Sequence, residues 1–175
     1  VRMVATARPP ATVLAMGVIR PMVGAEVKVG SRVSGVVTRL RANIGDSVQE
    51  GDVIAEIDDA EFLARVAQNE ASLARAQAEA ELAALKLDRL EAMAEREFVS
   101  RQELDAARSG LQVARSQVKL AEANLASTRI QLSYTRITTP ITGVVASVST
   151  QEGETVAASF AAPTFVNIID LDRLE

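Results

Sequence analysis

Twenty-three carboxylates, nineteen basic side chains and not one histidine or cysteine set the terms for any chemistry in this chain. Histidine is the commonest general base and metal ligand, and the thiolate of cysteine is the strongest ordinary nucleophile. Their absence excludes disulfides, thiolate metal sites and any nucleophile system built on His or Cys. Acid–base work would fall to pairs of Asp and Glu, but the acids sit on helix surfaces or in turns, and no pair falls in a stretch that reads as a pocket. No Gly-Lys-Ser/Thr run offers a phosphate-binding loop, and no calcium-loop spacing occurs. No catalytic residue, no cofactor and no metal site is therefore expected. A net charge of −4 gives no general basic footprint for nucleic acid, and four Phe, one Tyr and no Trp give no stacking surface for bases. The charged side chains that remain suit recognition rather than reaction.

Those side chains need elements to hold them. The stretch from Asp59 to Leu132 is rich in Ala, Leu, Glu, Gln and Arg, with no Pro and one Gly, which predicts helix throughout. In its second half Leu104, Leu111, Val118, Leu125 and Leu132 recur every seven residues, and Ala107, Ala114, Ala121 and Thr128 follow the first four by three. That is an a/d seam. The first half carries a looser seam through Phe62, Val66, Asn69, Leu73, Ala76, Ala80, Ala83, Leu87, Leu90 and Ala94. Asn69 is the polar member, of the kind that fixes register. Between the halves, Ser100 and Glu103 form a capping box, and Val99 with Leu104 suits a hydrophobic staple. Two helices, about 59–95 and 101–132, are thus expected to fold into an antiparallel coiled-coil hairpin with arms on the order of 50 Å long. The competing reading is a single long helix that pairs with a second molecule.

The flanks read as β structure. Residues 11–19 form a strand candidate closed by Pro21, and 1–10 are weakly patterned. From Glu26 to Asp58, short valine-rich strands alternate with turns, and Asp58 or Asp59 can cap the first helix. The region after the hairpin echoes the region before it. Gly35-Val36-Val37 matches Gly143-Val144-Val145 at an offset of 108, which also pairs Leu40 with Val148, Gly45 with Gly153, Asp46 with Glu154 and Val48 with Val156. Gly35, Gly45, Gly51, Gly143 and Gly153 are read as structural turn glycines, with Gly45 and Gly153 supplying a positive φ. Val166, Ile168 and Ile169 suit a last strand. Each β half is too small to bury its own apolar face. The two are expected to pack face to face as one sandwich, with the helical hairpin inserted between them. No apolar run approaches the roughly 18 residues of a membrane-spanning helix.

These words resemble a known family. Val33-Ser-Gly-Val-Val-Thr-Arg-Leu, Asn43-Ile-Gly-Asp-Ser-Val-Gln-Glu-Gly-Asp-Val-Ile-Ala-Glu-Ile-Asp58, the run from Leu132 to Val145 and Gln151-Glu-Gly-Glu-Thr-Val156 resemble the periplasmic adaptor, or membrane fusion, proteins of tripartite efflux and secretion systems. The ending Ala162-Pro-Thr-Phe-Val-Asn-Ile-Ile-Asp170 is most similar to the MacA-like branch linked to ABC transporters. The resemblance implies an α+β fold. Residues 26–58 and 133–169 would form a split, lipoyl-like barrel-sandwich, and 59–132 an inserted coiled-coil hairpin. Residues 1–25 and 170–175 would lead to outer domains. It implies a periplasmic adaptor that is not an enzyme, joined to an inner-membrane ABC permease and a TolC-like outer-membrane channel, and assembled as a hexameric ring. An RND pump, a secretion system or a non-transport coiled-coil scaffold are the alternatives. Carrier domains of this type attach a cofactor to a lysine between the halves. Here Lys28, Lys86 and Lys119 all lie elsewhere, so no swinging-arm cofactor is expected.

The family also places an Arg, a Leu four residues on and a Ser seven beyond that at the channel-binding tip. The matching positions are Arg89, Met93 and Ser100, with Met in place of Leu. Arg96 and Arg101 add charge nearby. The hairpin seam that would carry this tip is represented by Leu73, Leu87, Leu104, Leu111, Val118 and Leu125.

Overall fold

The computed structural model describes residues 22, 24–94, 99–158 and 163–171. The expected strand at 11–19, the segment before it and the last residues of the expected linker at 170–175 lie outside the described residues.

Two helices dominate the length. α1 runs Ala60–Ala94 (35 residues) and α2 runs Arg101–Ser133 (33 residues). Around them lie β1 (Glu26–Gly30), β2 (Gly35–Leu40), β3 (Ser47–Val48), β4 (Val53–Ile57), β5 (Arg136–Thr138), β6 (Gly143–Val148), β7 (Thr155–Val156) and β8 (Thr164–Ile169). The strands form two four-stranded sheets, ordered β1-β8-β6-β3 and β5-β4-β2-β7.

That order corrects the picture of one β half facing the other. Each sheet takes two strands from before the hairpin and two from after it. The reason is visible in the turns. Gly45 N–H donates to Val145 O at 2.9 Å, and Val145 N–H donates to Asp46 O at 3.0 Å. The equivalent pair on the other side is Gly153 N–H to Val37 O at 2.8 Å and Val37 N–H to Glu154 O at 2.9 Å. Each Gly-acid turn is therefore stitched to the central strand of the other half. Neither half can satisfy its backbone alone.

The core lies between the sheets. Phe165, Ile54, Ile168, Val37, Val145 and Val166 are almost wholly shielded from water. Burial of each such side chain is worth about 1.5–3 kcal/mol. Ser31 and Thr139, again separated by 108, are buried polar residues with one solution between them. Each hydroxyl donates to the carbonyl two residues on (Val33, Ile141) and accepts that residue's N–H.

Gly45, Gly51 and Gly153 have φ of 93°, 93° and 82°, a region that disfavours any Cβ. Gly35 and Gly143 differ from the turn role expected of them. They open strands β2 and β6, and close packing excludes a side chain there. A Cβ on Gly35 would stand 2.5 Å from Ile57 Cγ2, and one on Gly143 would stand 2.5 Å from Ile169 O.

The hairpin is held by its seam. Ala76, Ala107, Leu111, Leu125 and Thr128 are buried, and the other seam residues of both helices are half-buried. Within it, Asn69 Nδ2 donates to Thr128 Oγ1 at 2.7 Å, and that hydroxyl donates to Asn124 O at 3.0 Å. A slip of one helix past the other leaves these polar atoms facing alkyl groups, which ties register to one pair. At the root, Asp58 Oδ1 accepts the Ala60 N–H, and Asp59 O accepts the first helical bond, from Leu63.

Candidate functional site

The far end of the hairpin concentrates exposed side chains. Arg89 is exposed in the penultimate turn of α1 and makes no ion pair among the described residues. Met93, in the last turn, is 48% exposed. Residues 95–98, including Arg96, lie outside the described residues. Ser100 then caps α2. Its hydroxyl accepts the Glu103 N–H at 3.3 Å, and Glu103 Oε2 accepts the Ser100 N–H at 3.0 Å. Hydrogen bonds from Ser100, first its backbone N–H and then its hydroxyl, hold the Glu103 carboxyl below its ordinary pKa. Arg101 sits exposed in the first turn of α2, where the helix dipole disfavours a cation.

The two flanks behind the tip are unlike. On one, Arg108 bridges to Glu91 at 3.0 Å and Arg129 to Glu70 at 2.7 Å, tying the helices together. Both bridges share one antiparallel register, which sets Arg115 opposite Ala84. On the other flank a groove of about 490 Å³ opens between the helices, with Leu82, Lys86, Ala106 and Gly110 in its lining. It passes into a second hollow lined by Val113 and Leu120. Leu82, Val113 and Leu120 are exposed, and nothing lies within 4 Å of the position a Cβ on Gly110 would take. Arg89 and Met93 stand seven residues beyond Leu82 and Lys86, so they continue this flank to the tip.

Thus Arg89 and Met93 fall on one flank near the end of α1, and Ser100 lies across the tip as a helix cap. The difference between the flanks was missed in the sequence. Its signal was present in the arginines at 101, 108, 115 and 129, all one side of the seam, and in Ala106 and Gly110 on the other. Among the described residues, no cluster of three or more carboxylates could hold a metal ion.

A barrel-sandwich split by a long helical hairpin defines a class, that of the membrane fusion proteins. A family model described as the barrel-sandwich hybrid domain of the RND membrane fusion proteins matches residues 25–168, and the chain belongs to that family. Among individual relatives, the macrolide export protein MacA of Yersinia pestis is 34% identical over 163 residues, covering 85% of this chain and 44% of that protein. The multidrug resistance protein MdtA of Escherichia coli is 40% identical over 83 residues, 47% of this chain and 20% of that protein. The crystal structure of MacA from Actinobacillus actinomycetemcomitans superposes with a TM-score of 0.74 at 29% identity, over 89% of this chain and 52% of that one. The chain thus spans about half, or less, of the length of these relatives.

Proposed function

We propose that this chain is the channel-facing part of a periplasmic adaptor that joins an inner-membrane ABC permease to a TolC-like outer-membrane channel. In this reading residues 26–58 and 133–169 form one lipoyl-like domain, and 59–132 a coiled-coil hairpin that reaches outward from it. Copies stand side by side as a hexameric ring around the export path. The adaptor carries no catalysis and no cofactor of its own; its transporter supplies the energy.

The observation that carries the reading is the tip. A rod on the order of 50 Å long ends in Arg89, Met93 and Arg101, which are exposed, and neither arginine forms an ion pair among the described residues. An exposed thioether can fill an apolar notch on a partner, and a guanidinium beside it can pair with a carboxylate. An ABC partner is favoured by the extent of the likeness to MacA, which includes both β halves and the hairpin. An RND partner is the second reading. It is favoured by the family description and by the shorter but closer match to MdtA.

The test is docking to a TolC-like channel. Arg89→Ala and Met93→Ala should each weaken binding by roughly tenfold, as expected for truncation at an interface anchor, with helicity unchanged. Full-strength docking by both folded variants contradicts the tip assignment.

A further inference from the structure

At the hairpin root, where the β1 and β5 edges approach, Lys28, Arg32 and Arg136 line one groove of about 700 Å³. The Arg32 guanidinium stands over the Tyr134 ring, 5.2 Å from its centroid. None of the three cations forms an ion pair among the described residues. The carboxylate on β1, Glu26, is engaged by Asn167 Nδ2 at 2.7 Å. In a chain of net charge −4 this edge is a local reversal of sign.

The opposite edge carries the complement. β3 and β7 end the two sheets at the side away from β1 and β5. The turns that lead into them present Asp46, Glu152 and Glu154. Each carboxylate is fixed through one oxygen by a backbone N–H: Asp46 Oδ2 by Asn43 at 2.8 Å, Glu152 Oε1 by Leu40 at 2.8 Å and Glu154 Oε2 by Gln151 at 3.0 Å. The second oxygen of each accepts no hydrogen bond among the described residues. Arg41, which shares a surface hollow with Asp46, is held by Glu56 at 2.8 Å.

We propose that the cationic β1/β5 groove of one copy receives the Asp46, Glu152 and Glu154 edge of the next. This deepens the ring reading above and rests on it. The two edges lie on opposite sides of one sandwich, so a molecule cannot satisfy itself, whereas an identical neighbour can. A contact between two unlike patches of the same chain is heterologous and closes into a ring when the rotation allows. Carboxylates already fixed by their own backbone lose little freedom on docking, and the Arg forks suit carboxylate geometry. A free phosphate would match the groove's charge but leaves the anionic edge unexplained.

Charge exchange tests this. One variant carries Arg32→Glu and Arg136→Glu, making both edges acidic; the other carries Glu152→Lys and Glu154→Lys, making both edges basic. Sedimentation equilibrium at low salt should show the wild-type chain self-associating and each variant at least roughly tenfold weaker. An equimolar mixture should regain association, because every contact in it joins unlike edges, and raised salt should weaken it. Circular dichroism confirms that each variant folds, and Glu152→Gln serves as a milder second variant, weakened without reversal. The proposal is overturned by a monomeric wild-type chain, by variants that associate as well as wild type, or by folded variants whose mixture stays monomeric. It is also overturned if inorganic phosphate binds stoichiometrically to the groove while charge exchange changes nothing. Channel docking by the tip is measured separately, so loss of the edge contact with docking intact removes this interface without removing the adaptor reading.

Discussion

The sandwich and the hairpin hold themselves together in opposite ways. In the sandwich, strands far apart in sequence interleave, and large side chains such as Phe165, Ile54 and Ile168 are fully enclosed. In the hairpin, order is local along each helix, and two helices share one narrow seam in which alanine is prominent. An enclosed core resists partial change, because each lost side chain leaves a void that its neighbours cannot fill. A seam open to water on both sides gives way locally, so a change at one level need not reach the next. The root is thus built to stay fixed, and the rod to adapt at its end.

The sharpest break in that contrast is Phe165→Ala. It should cost about 3–5 kcal/mol and unfold both β halves in one transition, read by denaturant melts and by hydrogen exchange in residues 35–57 and 136–169 together. Loss of protection in one half alone would contradict the interleaved sheets. Leu125→Ala in the seam should cost less, about 2 kcal/mol, since the open flanks let water replace the lost contact. Its exchange effects should stay within the hairpin. Ser100→Ala should cost about 1 kcal/mol and loosen the first turn of α2, with the sandwich unchanged. Acid should act in the same place. The Glu103 pKa is lowered on folding, so its stabilisation is present above the ordinary value of 4.5 and is lost as pH falls through the folded value. Amide exchange at the tip should therefore rise, relative to the sandwich, as pH drops below about 4.5, and Glu103→Gln should remove that dependence. The smallest effect is expected for Arg129→Ala, an exposed bridge worth roughly 0–1 kcal/mol.

The hairpin was more legible in the sequence than the sandwich, for the same physical reason that separates them. A heptad seam and a capping box are short-range signals, so Leu104 to Leu132 and Ser100 with Glu103 could be placed from spacing alone. The 108-residue echo revealed two equivalent β halves, but not that they exchange strands. That choice depends on hydrogen bonds between Gly45 and Val145 and between Gly153 and Val37, which join residues about a hundred apart. Gly35 and Gly143 were misread as turn residues because a glycine that avoids a clash looks the same in sequence as one that adopts a positive φ. At the tip, Arg89, Met93 and Ser100 came from resemblance to a family. The flank that Arg89 and Met93 share became apparent only with the groove between the helices in place.

For the adaptor to work, the chain must fold back on itself so that the rod's two ends meet at one sandwich. Spin labels at exposed Leu63 and Gln131, in doubly labelled protein diluted with unlabelled protein, measure this directly. Helices packed about 10 Å apart predict a label separation under roughly 25 Å, unchanged by dilution. A separation beyond roughly 60 Å, as one continuous helix would give, or a short distance that vanishes on dilution, would contradict it.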